Sequence, residues 1–429
     1  MRKYAPGLIV QLLLALLAAA PALAQEGGVV TSGSATITSP TPTVTQINQL
    51  TDKAIIQWDS FSIASGSSTI FNQPSSTSIA LNRVIGTEAS LIYGSLLANG
   101  QVWILNPNGI LFGQGSTINV GALVASTLSI SDTDFLSGTY KLLQDPSKEA
   151  SYVVNQGSIT VTSFAALVGP LVENAGSITA PGGKVYLLGA SEAVLDITGD
   201  GLIGYSIGSV CGQTVNIRAD ALSDVVKAAV NTGGLVEAGA IVDDGSGVIR
   251  LVGAGGLAVN TGTISVGGAA GVNGGSVVLN SAQATINTYH ASIDASGSGL
   301  DSNGGSILLL SNHNTYFRGT LNADAGTTGD GGFIEVSAPG HLWFMGLTSA
   351  AAPGGAGGTL VIDPTVLTIT DGAATSGALD ANFSADGIIL TTDTAGGDTV
   401  SRGSLEAFVG ATILLQATDT ITMEDLVSD

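Results

Sequence analysis

The chain has 429 residues, with 60 Gly, 44 % hydrophobic and only 10 % charged side chains, which is too apolar for a disordered chain. Gly has no strict three-residue period and there are only 12 Pro, which excludes collagen. A net charge of −21 with 12 Lys and Arg excludes a nucleic-acid reader and makes an anionic lipid surface a poor partner, while three His and one Cys leave no zinc cluster or disulfide framework. Residues 1–24 read as a secretory signal peptide. Arg2 and Lys3 precede an apolar run from Leu8 to Ala20, and Ala22-Leu23-Ala24 sets cleavage between Ala24 and Gln25. That run is shorter than the ~20 residues a bilayer span needs, and no later stretch is long and apolar enough. Cleavage removes two cations and no acids, taking the net charge from −21 to −23. Cys211, alone in an exported chain, is read as a small core residue.

After Gln25 come short runs rich in Val, Ile and aromatics, bounded by Gly, Asn, Asp and Ser. Ala54–Trp58, Val102–Leu105, Thr117–Val120 and Lys184–Leu188 are each predicted to be strands. A charged segment from Ser131 to Tyr152 lacks the Gly-strand alternation. It is expected to leave the main axis as a solvated loop or a hairpin on one face. Helical spacing is clearest from Ser223 to Val230, with Ser223 as N-cap and Gly233-Gly234 as the stop. In the second half a Gly-Gly or Gly-x-Gly pair precedes an alternating strand five times. The second Gly falls at 247, 275, 305, 332 and 358, giving steps of 28, 30, 27 and 26. Shorter strands, Gly262–Val266 and Ala291–Ala295, lie between them. Such a period marks a solenoid, and several short strands per period without a crossover helix predict an all-β, parallel β-helix with stacked aliphatic ladders. An antiparallel sandwich also uses short strands but needs no repeat.

The sequence offers no catalytic constellation. There is no phosphate loop, and Gly329-Asp330-Gly331-Gly332 approaches a calcium nonapeptide only once. Parallel β-helices also host polysaccharide-active enzymes, which need clustered carboxylates. Here acids sit beside Gly, as in Asp200-Gly201 and Asp371-Gly372, where turn chemistry explains them. Asp243-Asp244 is the best pair and faces no evident base. His313 and His341 have no acid at i+4, and His290, with Asp294 there, precedes an expected strand and does not lie on a helix. No catalytic residue, metal or cofactor is assigned.

Residues 68–127 hold a set of ordered motifs. These are Ser68-Thr69-Ile70-Phe71-Asn72-Gln73-Pro74-Ser75, Ala80-Leu81-Asn82-Arg83-Val84, Gly94-Ser95-Leu96, the run from Asn99 through Asn106-Pro107-Asn108-Gly109-Ile110, and Ala122 to Thr127. This set resembles the N-terminal secretion domain of two-partner-secretion exoproteins, the family of filamentous haemagglutinin and the high-molecular-weight adhesins. The likeness covers about 25–255, continuing through Asn155–Ile159 and Glu173–Ile178, and leaves 256–429 as a Gly-rich β-helical shaft. It implies a right-handed β-helix with small extra-helical elements. It also implies passage through the periplasm and a dedicated outer-membrane partner, an Omp85-like β-barrel carrying POTRA domains. The family's second motif is intact at Asn106–Ile110, while the place of the first, Asn-Pro-Asn-Leu, holds Asn72, Gln73, Pro74 and Ser75. Residue chemistry agrees for Asn106-Pro107-Asn108-Gly109, which suits a type I turn whose Asn side chains cap open backbone groups. These nine residues are the expected transporter-recognition set.

The expectation is therefore a secreted, cell-surface adhesin or haemagglutinin, not an enzyme, meeting host or neighbouring-cell glycans or proteins. A polysaccharide-active β-helix, or the delivery stalk of a contact-dependent toxin or haemolysin, remains the alternative. Ala411–Leu415 reads as another strand, and Asp429 falls in mid-rhythm, as in the front part of a longer protein.

Overall fold

The computed structural model describes residues 25–148, 151–195, 204–206, 230–232, 235–237, 248–253, 257–373 and 398–424. The signal segment with Ala24, Cys211, Asp200, Asp243-Asp244, and the predicted helix up to Ala229 lie outside the described residues. Val230 begins a strand, Val230–Thr232.

Three long sheets form the faces of a parallel β-helix. Each coil runs from face one to face two to face three, as in Ser95–Ala98, Gln101–Leu105 and Ile110–Phe112. Each strand then pairs with the equivalent strand of the next coil, as predicted, and not with its chain neighbour as in a sandwich. The first turn is sealed by a cap of the opposite sense. Gln25–Glu26, Val29–Ser32 and Ala35–Thr41 pair antiparallel with Ser60–Phe61, Lys53–Trp58 and Val44–Gln49.

The glycine period sets the register of the shaft. Val248, Ser276, Ser306, Phe333 and Thr359, each just after a repeat glycine, are successive partners on face two. Inward residues stack on themselves. On face one Leu96, Ile118, Ile159 and Ile178 lie in one row, continued by Ile264, Ile293 and Leu321, all fully buried. The residue before three successive glycine pairs fastens one coil to the next. Asn273 Oδ1 accepts from Asn303 N at 2.6 Å, Asn303 Oδ1 from Asp330 N at 2.8 Å, and Asp330 Oδ1 from Ala356 N at 2.8 Å. The carboxylate of the calcium-like tetrapeptide is thus engaged by backbone. The simple order breaks once near the end. Thr399–Ser401 inserts on face three between Leu342–Phe344 and Val366–Thr370, so a strand late in the chain separates two earlier ones.

The charged segment after Ser131 leaves the axis, but not as the hairpin expected. Asp132–Ser137 is a short helix. Ser131 Oγ accepts from Asp134 N at 3.0 Å, and Gly138 at φ 87° closes the other end. The Ser-x-x-Asp spacing was a readable capping signal. The strand that follows, Tyr140–Leu143, pairs antiparallel with Glu192–Leu195, and that with Gly204–Ser206. This small sheet lies over the outer side of face two. There the row Ile55, Leu81, Trp103, Val124, Ala166, Tyr186 is fully buried in a second core with Phe135, Tyr140, Leu142 and Leu195. Trp103 meets the rings of Phe135 and Tyr140 at 5.8 and 4.9 Å. Further along, the same row continues as Val278, Leu308 and Glu335, which are only half-buried.

Two cations of the early coils hold the excursion in place. Arg83 reaches Asp132 Oδ1 at 2.6 Å and Ile130 O at 2.8 Å at the start of the short helix. Lys53 Nζ donates to Phe135 O at 2.8 Å and Leu136 O at 3.1 Å at its end. Trp103→Ala should cost about 3–5 kcal/mol, the usual range for a large buried aromatic. Hydrogen exchange should show the loss in Asp132–Leu143 and neighbouring face-two strands, with the shaft beyond Leu257 unchanged, because a solenoid couples only adjacent coils.

Candidate functional site

The two expected motifs occupy two different corners of the coil. Asn72–Ser75 lies where face one turns into face two, and Asn106–Gly109 where face two turns into face three. They stand at opposite ends of the strand Gln101–Leu105, a separation of about 17 Å at ~3.3 Å per residue. The structure does not merge them into one patch.

At the first corner the buried residue is Gln73. Its Nε2 faces Gln49 Oε1 at 3.1 Å, Ser78 O at 3.0 Å and Gln101 O at 3.1 Å, and its Oε1 accepts from Gly100 N at 3.0 Å. Asn99 of the following coil closes the turn from outside, accepting from Gln73 N at 2.7 Å and donating to Gln73 O at 2.8 Å. One amide therefore ties three successive coils. Gly100 is required by the closeness of this packing: a Cβ there would lie 2.7 Å from both Gln73 Oε1 and Ser75 O. Asn72 and Pro74 are exposed and Ser75 is half-buried. Asn72 Nδ2 donates to Asn48 Oδ1 at 2.7 Å across the register pair, and Ser75 Oγ lies 2.9 Å from Ser78 Oγ. Gln49 and Asn99 were not singled out from the sequence. The signal was present: the dipeptide Asn-Gln recurs at 48–49 and 72–73, one coil apart.

The second corner is a closed turn. Gly109 N donates to Asn106 O at 3.2 Å, and Asn108 N donates to Asn106 Oδ1 at 2.9 Å. Asn108 keeps a negative φ, which excludes type II and accords with the type I expectation. Both Asn side chains reach back to the preceding coil's corner. Asn106 Nδ2 donates to Glu88 O and Ser90 Oγ, each at 3.0 Å, and Asn108 Nδ2 to Gly86 O at 2.9 Å. Asn106 has no exposed surface, whereas Pro107 and Asn108 are half-buried. Gly109 sits at φ 121°, where a Cβ would also press on Tyr152 at 3.0 Å. Ile110 is fully buried and opens the face-three strand. Gln25, first residue after the expected cleavage, pairs with Phe61 in the cap, and its side chain hydrogen-bonds Thr69 Oγ1.

Between the two corners lies a buried Asn82 on the inner side of face two. It accepts from Trp58 Nε1 at 3.0 Å and donates to Trp103 O at 3.2 Å. Elsewhere, His341 Nδ1 meets Asp398 Oδ2 at 3.2 Å, an acid 57 residues away that no local spacing could show. That carboxylate also accepts from Leu342 N at 3.0 Å, so it orders the inserted strand. No group of three metal-ligating side chains occurs among the described residues.

These contacts rank the motif residues by structural load. Gln73→Leu and Asn106→Ala each strand buried partners and should cost about 2 kcal/mol or more of local stability. Asn72→Ala, on the surface, should stay within ~0.5 kcal/mol. Hydrogen exchange of Ile79–Phe112 in the full chain measures all three. Equal effects would contradict the burial pattern.

A family model described as TPS secretion domain matches residues 22–250. The heme/hemopexin-binding protein of Haemophilus influenzae Rd is 38 % identical over 169 residues, covering 38 % of this chain and 19 % of that protein. A second H. influenzae heme/hemopexin-binding protein is 42 % identical over 109 residues, 25 % of this chain and 12 % of that protein. The chain thus spans a fifth or less of the length of these curated relatives. The crystal structure of the HMW1 secretion domain from H. influenzae superposes with a TM-score of 0.62 at 22 % identity, over 91 % of this chain and all of that one, a likeness of fold. With its model spanning more than half of the residues, the chain belongs to the two-partner-secretion (TPS) secretion-domain family.

Proposed function

We propose that this chain is a secreted exoprotein, carried from the periplasm across the outer membrane by a dedicated POTRA-containing β-barrel, and that its β-helix then presents an adhesive surface at the cell exterior. The observation that supports export is the family match over residues 22–250, which coincides with the coils holding both corner motifs. Among the described residues no helix is long and apolar enough to cross a membrane. The segment shared with the heme/hemopexin-binding relatives is a minor part of those proteins. We assign that segment to export rather than to their named ligand.

The corner geometry constrains how a transporter reads the motif. Asn106 is fully buried once the coils stack. A partner that recognises its side chain must do so before folding, when both its amide and the carbonyls of Gly86 and Glu88 are open. Strand addition to the unfolded segment is the fitting mode, since an extended chain offers a full row of backbone donors and acceptors. Recognition and folding therefore use the same groups in succession.

The chain should reach the medium of a non-lysing host only with its cognate transporter co-expressed. Equal yield without one would overturn the export reading. The double variant Asn106→Ala/Asn108→Ala should, after refolding, keep a β-type circular dichroism spectrum yet accumulate in the periplasm. Normal secretion would reduce the motif to an ordinary turn, and loss of β structure would assign it to folding.

A further inference from the structure

The shaft is acidic, and its described part from Leu257 onward has only two cations, Arg318 and Arg402. Arg402 is matched with acids, lying 3.6 Å from Asp371 and 3.5 Å from Glu406. Arg318 pairs with no acid among the described residues. Its Nε is buried without a hydrogen-bond partner, and its guanidinium lies 5.1 Å from the ring centroid of Tyr289 on the preceding coil. Tyr289 is 56 % exposed, and the ring of the exposed His290 meets it edge-on at 4.8 Å.

This corner, where face three turns into face one, is held firmly from behind. Arg318 N donates to Asn287 O at 2.9 Å, and Asn287 Nδ2 donates to Arg318 O at 2.6 Å. Ala291 N closes the Tyr289 turn on Thr288 O at 3.0 Å, and Thr320 N reaches Ala291 O at 3.1 Å. Gly319 permits the join at φ 81°, where a Cβ would strike Ala291 O at 2.2 Å. The backbone is thus fixed on both coils, while the Tyr289 ring and the His290 imidazole are exposed and the half-buried Arg318, its Nε enclosed, lies beside them.

We propose that Tyr289, His290 and Arg318 form a binding site for a carboxylate-bearing sugar of the uronic-acid type. A guanidinium is suited to bidentate pairing with a carboxylate, and an exposed aromatic face suits the apolar side of a pyranose ring. The imidazole adds a hydrogen-bonding group beside them. The net charge of −21 repels a densely charged polyanion at long range. The ligand that fits is therefore a mainly neutral glycan bearing isolated carboxylates. The site is independent of how the chain is exported.

The test uses the purified mature chain and titration calorimetry. The probes are an oligosaccharide ending in glucuronic acid, the same oligosaccharide ending in glucose, and a polyglucuronate. The acid-terminated probe should bind at least ~10-fold more tightly than the neutral one, the scale of one charge-assisted contact. Arg318→Gln and Tyr289→Ala should each lower its affinity ~10-fold or more, Arg318→Lys should restore only part of it, and Tyr289→Phe should retain it. The Lys and Phe variants read out binding even if Tyr289→Ala disturbs the turn. Equal binding of the acidic and neutral probes, undiminished binding by Arg318→Gln, tighter binding of the polyglucuronate, or no binding at millimolar concentration would each overturn the proposal.

Discussion

The structure depends on parallel, in-register hydrogen bonding between coils, and hence on what happens at the corners where that bonding stops. Along a face, each strand supplies every donor and acceptor its neighbours need. At a corner the chain turns and leaves amides pointing into a low-dielectric interior, where an unpaired group costs about 1–3 kcal/mol. Several of the described corners carry a side-chain amide that reaches the adjacent coil. Gln73 does so between faces one and two, and Asn106 and Asn108 between faces two and three. Asn155 to Asn174 at 2.7 Å and Asn260 to Asn287 at 2.8 Å do so between faces three and one. Because these groups pair with the coil before or after, none is satisfied until two coils have met.

That dependence gives the molecule a direction. Its N-terminal end is closed by antiparallel strands, and each later coil adds its strands and corner amides to the one before it. Under the export proposed above, the chain would need to lack a stable fold in isolated pieces and to gain one by stacking. Corner amides that are useless singly and cooperative when stacked have that property.

The front coils carry a second layer over face two. There the outer row of face two is apolar, from Ile55 to Tyr186, and would be an aggregation-prone surface if left open. The excursion covers it, anchored at one end of its short helix by Arg83 and at the other by Lys53, from strands 49 and 82 residues earlier. In a chain with 12 basic residues, the use of two at this one element marks its placement as specific.

Much of this was legible without coordinates. The glycine period set the coil length and the face-two register, because a sharp turn and a close backbone approach are demands on single residues that recur in sequence. The turn at Asn106 was readable for the same reason: Asn, Pro and Gly each answer a local backbone requirement. Tertiary structure alone decided the antiparallel pairing of Tyr140–Leu143 with Glu192–Leu195, the insertion of Thr399–Ser401, the meeting of His341 with Asp398, and the burial of Gln73 beside an exposed Asn72. In each of these the partner is supplied by another coil or another excursion. A local pattern states which way a side chain alternates, but only the stacked coils determine what waits on the other side.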